Sequence, residues 1–148
     1  MTVPVDIQFL ALFLLIAVPA AIIDLRSYRI PDYLTFPGMI ILLLYSVYKR
    51  RELVCDSLLA MTLSIAFLWF IRIRTHGLGL GDVKLGACIG LFCGMRELFQ
   101  ALIIAAGTAI IVALVLKLKH ALRRDTPIPF APFLLLGAVI SQWLPRQM

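Results

Sequence analysis

The sequence predicts an all-α integral membrane protein, a single bundle of about six transmembrane helices with its N-terminus outside. Three observations carry that reading. Of 148 residues, 62% are hydrophobic and mean hydropathy is +1.01, where a soluble domain is nearer half apolar. The apolar residues fall into six runs separated by short polar connections. The lysines and arginines gather in those connections, which is how membrane topology is encoded. The net charge of +6 is therefore read as topology, and no nucleic-acid partner is expected. Residues 1–148 have room for one membrane-embedded domain and for no sizeable soluble one.

The first run, Ile7–Ile23, reads as a retained span. A cleaved signal peptide has a positive segment ahead of its apolar core. Here the first basic residue, Arg26, follows the run, and Asp6 precedes it. Pro19, about one turn before Asp24, either kinks the helix and aims Asp24 inward or is a tolerated membrane proline. The second run, Tyr33–Tyr48, is short, as are the fourth, Val83–Met95, and the sixth, Phe130–Leu144. A straight span needs about 20 residues, so these runs borrow flanking residues, thin the bilayer or lie partly within the bundle. The third run is Ser57–Ile73 and the fifth Leu98–Leu116; the fourth is the weakest as an independent helix. Gly86, Gly90 and Gly94 recur every fourth residue, as do Ala101, Ala105, Ala109 and Ala113. Either these reflect the ordinary Gly and Ala content of membrane helices, or they mark faces where helices pack backbone to backbone.

Orientation follows from the loops. The first, third and fifth connections hold Arg26, Arg29, Arg72, Arg74, Lys84, Lys117, Lys119, Arg123 and Arg124. The other connections and the tail hold Lys49, Arg50, Arg51, Arg96 and Arg146. The excess puts the odd connections in the cytoplasm, with Lys49-Arg50-Arg51 opposing it.

Asp24 closes the first run, and Asp82 closes the glycine-rich stretch Gly77-Leu-Gly-Leu-Gly-Asp82. A carboxylate at a membrane boundary is costly unless something uses or neutralises it. These two lie two spans apart, hence on the same face whatever the orientation, and could share one proton and activate a water. Gly77, Gly79 and Gly81 either admit close approach of an extended chain or form a flexible turn. Three function classes fit at this level: a peptidase, a small proton- or cation-coupled membrane transporter using the same aspartates, and a scaffold in which the acids cap helices.

Other groups are weaker candidates. Asp32 follows Pro31 and suits a cap for the second helix. Asp125, among Arg123, Arg124 and Pro127, suits a loop ion pair. Lys84 either tunes the aspartate pair or reaches the interface. Cys55, Cys88 and Cys93 have no metal spacing and read as structural thiols. His76 and His120 are isolated, so neither a metal nor a cofactor is expected.

Three stretches carry a resemblance. Asp24-Leu-Arg-Ser-Tyr-Arg-Ile-Pro-Asp-Tyr-Leu-Thr35 resembles the first motif of the type IV prepilin peptidases, which are GxGD membrane aspartyl proteases. Gly79-Leu-Gly-Asp-Val-Lys-Leu-Gly-Ala-Cys-Ile-Gly90 resembles their GxGD motif and its extension. Ile128-Pro-Phe-Ala-Pro-Phe-Leu134 resembles their late IPFGPFL motif, with Ala131 at the usual glycine. The resemblance implies a bacterial inner-membrane endopeptidase of six helices. Such an enzyme removes the basic leader from type IV prepilins or pseudopilins at the cytoplasmic face. Asp24 and Asp82 would be catalytic, with Gly79, Gly81, Lys84 and Pro31 supporting them or the substrate. Longer members add an N-terminal segment with paired CxxC cysteines and methylate the new N-terminus. This sequence shows neither, so it resembles the short, peptidase-only branch, and methyltransferase activity is not expected. A dyad of this kind titrates as a unit: the ionised member takes a proton from water while the protonated one donates to the scissile carbonyl.

Overall fold

The computed structural model describes residues 6–75, 78–118 and 129–144. Within them the chain is helical, with no strand: α1 (Ile7–Ser27), α2 (Asp32–Lys49), α3 (Val54–Thr75), α4 (Leu80–Leu118) and α5 (Ala131–Trp143), plus a short 3-10 turn at Arg51–Leu53. Three stretches, Ile7–Ser27, Arg51–Arg74 and Leu80–Leu118, are long and apolar enough to cross a membrane. Outward faces are apolar too: Ile103 is 71% exposed and Leu118 72%, as suits a lipid-facing surface and not a water-facing one.

Local chemistry sets the helix ends. The Asp6 carboxylate accepts from the Gln8 and Phe9 amides at the start of α1, satisfying donors that have no partner inside the helix. At the other end Tyr28 turns left-handed (φ 53°) and its amide donates to the Asp24 carbonyl. Between them α1 runs unbroken through Pro19.

The fourth and fifth apolar runs both fall within α4, which is broken at Gly94 (φ 76°, ψ 178°) into two helical halves, one for each run. Glycine alone adopts that backbone readily. A carboxylate from the start of α3 completes the break: Asp56 Oδ2 accepts from the Met95 amide at 3.0 Å, so it caps the second half of α4. The two halves lie side by side. A straight helix would place Leu80 and Ile110 about 45 Å apart, yet Leu78 and Ile110 line one groove. At its other end α3 lies beside the start of α4, where Arg72 Nη1 donates to the Leu78 carbonyl at 2.7 Å.

Position 94 offers a sharp test. A Cβ there would lie 2.5 Å from Asp56 Oδ2, on a backbone that side chains rarely adopt. Gly94→Ala should therefore destabilise the fold by about 1–3 kcal/mol, read as a lowered thermal unfolding midpoint in detergent. An unchanged midpoint would mean that the break does not depend on glycine.

The first half of α4 is the core of the bundle. Nearly every residue from Asp82 to Gly94 is buried. That explains its short apolar run: it is wrapped by protein and need not match the bilayer. Phe92 stacks on Phe13 of α1 at 4.2 Å between ring centroids. Ser57, Ala60, Ser64 and Leu68 form the buried stripe of α3, and Ser64 Oγ donates to the Gly86 carbonyl at 2.8 Å. Gly86 and Gly90 lie against this stripe, so their spacing marks a backbone-to-backbone seam, whereas Gly94 serves the break. In the second half, Ala101 and Ala105 are buried against Gly137 of α5. Ala109 and Ala113 are only half-buried, so the alanine stripe packs along half its length.

Candidate active site

Asp24 sits in the last turn of α1 and Asp82 in the first turn of α4. Both are buried, at 5% and 7% exposure. They lie close enough to interact electrostatically. Each is held by a main-chain donor from a different segment. Asp24 Oδ2 accepts from the Ala131 amide at 3.2 Å, and Asp82 Oδ2 accepts from the Gly79 amide at 3.0 Å. Ala131 opens α5, so Asp24 also faces the positive end of a helix. The other oxygen of Asp82, Oδ1, is buried with no hydrogen-bond partner among the described residues. A buried carboxylate oxygen left unpaired is costly in a purely structural role.

The glycines have separate duties. A Cβ on Gly81 would lie 2.6 Å from the Ile30 Cβ, so Gly81 lets the Asp24–Thr35 stretch press against the start of α4. Gly79 supplies its amide to Asp82, and a Cβ there would stand 3.2 Å from Asp82 Oδ2. Ala131, at the usual glycine of the late motif, contributes a backbone amide, which a methyl side chain does not remove.

The remaining candidates form a neighbouring cluster. Pro31 is the residue that opens α2, and no side-chain cap is made there. Asp32 therefore does not cap α2. It pairs with Lys84 Nζ at 2.5 Å, and the same ammonium lies 4.8 Å from the centre of the Phe36 ring. Lys84 thus ties α4 to α2. Asp32 is 62% exposed in its side chain, and a pair in such a setting is worth about 1 kcal/mol or less. Lys84→Met and Asp32→Asn should each lower activity by less than about tenfold, and the double variant should be no worse than either single one if the two act as a pair. Strict additivity in a kinetic double-mutant cycle would separate them.

Asp56, the cap at the break, had no motif to mark it. Cys88 and Cys93 are buried free thiols, and Cys55 is an exposed one. No group of three or more His, Cys, Asp or Glu that could hold a metal ion occurs among the described residues. Gly77, His76, Lys119, His120, Arg123, Arg124, Asp125, Ile128 and Arg146 lie outside the described residues.

The fold and the site define a helical membrane protein that keeps two buried, mutually interacting carboxylates at one end of its bundle. The chain belongs to the type IV leader peptidase family, whose profile matches residues 9–114. Among curated relatives, it is 32% identical over 125 residues to a prepilin leader peptidase/N-methyltransferase of Burkholderia pseudomallei, covering 80% of this chain and 40% of that protein. It is 31% identical over 144 residues to the prepilin leader peptidase/N-methyltransferase of Escherichia coli K12, covering 93% and 64%. It is 29% identical over 147 residues to leader peptidase HopD of Escherichia coli, covering 93% of both. The chain thus spans about two fifths of the length of the Burkholderia relative and nearly all of HopD. No solved structure matches it.

Proposed function

We propose that this protein is an aspartic endopeptidase of the bacterial inner membrane that removes the basic leader from type IV prepilins or pseudopilins at the cytoplasmic face. The observation that carries the reading is the pairing of buried Asp24 and Asp82, each oriented by a backbone amide, with one oxygen of Asp82 unpaired. Family membership supports leader cleavage, and the end-to-end match to HopD supports cleavage as the reaction.

In this reading the pair holds one proton between two carboxylates, because two adjacent negative charges in a buried site repel. The ionised member takes a proton from water, and the oxygen attacks the scissile carbonyl carbon. The protonated member donates to the carbonyl oxygen, giving a neutral gem-diol. Its collapse breaks the C–N bond: the proton taken from water passes to the leaving amine, and a hydroxyl proton of the gem-diol returns to the aspartate that had donated one, restoring the shared proton. Gly79, Gly81 and Pro31 shape the site, and Lys84 with Asp32 holds α4 to α2 beside it. The two halves of α4 serve as separate spans, making six with the N-terminus outside. This orientation rests on the excess of basic residues in the odd connections.

The test is cleavage in proteoliposomes. Purified protein mixed with a leader-bearing prepilin should release a product shortened by the leader, with the new N-terminus confirmed by mass spectrometry. Failure to cut a panel of prepilins, together with proton or cation uptake by the same vesicles, would replace this reading with a transporter.

A further inference from the structure

An apolar groove of about 430 Å³ runs between α3 and the second half of α4. Leu63, Phe67 and Ile71 form one wall, and Phe99, Ala106 and Ile110 the other. Its walls extend about 12 Å along α3 and about 16 Å along α4, two to three helical turns. Leu78 and Phe130 also line it. These residues directly precede Gly79 and Ala131, whose amides hold Asp82 and Asp24. The groove, open on the apolar outer surface, thus has at its margin the residues next to those that hold the aspartate pair.

We infer that this groove receives the hydrophobic helix that follows the leader in the substrate, seating the scissile bond near Leu78 and Phe130. The inference rests on the leader-peptidase reading above and adds a docking place to it. Three observations favour a substrate helix as the occupant. Leu78 and Phe130 line the groove and stand next to the two amide donors of the aspartate pair, so a helix lying in it with its N-terminal end there brings the preceding residues toward the carboxylates. Ala106 and Ala109 line it, and small side chains let a second helix approach closely in a membrane, where van der Waals packing drives association. An apolar trough beside segments that hold two carboxylates complements a hydrophobic helix preceded by basic residues.

Two measurements test it in the full-length protein. A photoreactive phenylalanine analogue at Ile103, which is 71% exposed and lines the groove, is placed in an Asp24→Asn background and illuminated with prepilin in vesicles. Adducts mapping to the hydrophobic helix of the prepilin are expected; adducts to lipid alone overturn the inference. Ala106→Trp and Ala109→Trp are then assayed on whole prepilin and on a peptide truncated soon after the cleavage site. The ratio of kcat/KM for whole prepilin over peptide should fall tenfold or more, chiefly through KM. An unchanged ratio overturns the docking place while leaving the peptidase reading intact. Absence of cleavage of both substrates by the unaltered protein overturns the peptidase reading itself.

Discussion

Asp24→Asn and Asp82→Asn should each lower the rate of leader cleavage by about a thousandfold or more, within the range that general acid–base groups contribute. The substitution suits the site. Asparagine keeps the shape of the side chain and an oxygen that can accept from the Ala131 or Gly79 amide, so the anchoring hydrogen bonds survive. It removes the ability to hold a negative charge or exchange a proton, which is the property the mechanism needs. The two variants should also fail as a unit, with the double variant hardly slower than either single one, because removing one partner already ends the proton exchange. Thermal unfolding midpoints near that of the parent would show that the loss is chemical. Undiminished cleavage by either variant would remove that aspartate from the mechanism. Loss of cleavage accompanied by loss of fold would leave the acids as structural groups.

Much of the architecture was legible because membrane helices are written as apolar runs. All six runs lie on helices, and the parity of the connections already placed Asp24 and Asp82 on one face. What could not be read was the state of the chain around Gly94. A glycine at the end of a four-residue repeat looks like part of a packing stripe, and only its positive φ and the Asp56 carboxylate beside Met95 identify it as a break. The Asp32 side chain misled for a related reason. Position after a proline suggested a cap, whereas its partner is Lys84, 52 residues away in sequence, and such pairings leave no local signature. The late motif named the right segment, but its contribution is an amide, and a backbone donor is invisible in side-chain identity.

The seam between α3 and the first half of α4 gives the second large effect. At Gly90 a Cβ would stand 2.6 Å from the Met61 backbone nitrogen and Cα and 2.7 Å from the Ala60 carbonyl carbon. Those are backbone atoms of a packed helix, so relief requires α3 itself to move. At Gly86 the nearest atoms belong to the Leu68 and Ser64 side chains, and the Leu68 side chain can change rotamer. At Gly107 nothing lies within 4 Å. The three glycines therefore predict a graded series across the two halves of α4. Gly90→Ala should destabilise by about 1–3 kcal/mol through overpacking, and Gly90→Leu should prevent the bundle from assembling. Gly86→Ala should fall below Gly90→Ala in cost. Gly107→Ala should be neutral or stabilise by up to about 1 kcal/mol, because it removes backbone freedom inside a helix without a clash. The series is read from unfolding midpoints in detergent, and cleavage should follow the folded fraction. In lipid the effect at Gly90 is not offset by a hydrophobic drive between helices, since close packing is the main source of association there. Equal tolerance at Gly90 and Gly107 would mean that the α3–α4 seam is looser than its backbone distances indicate. The aspartate pair would then have to be held by the amides of Gly79 and Ala131 without a rigid α4 beneath Asp82.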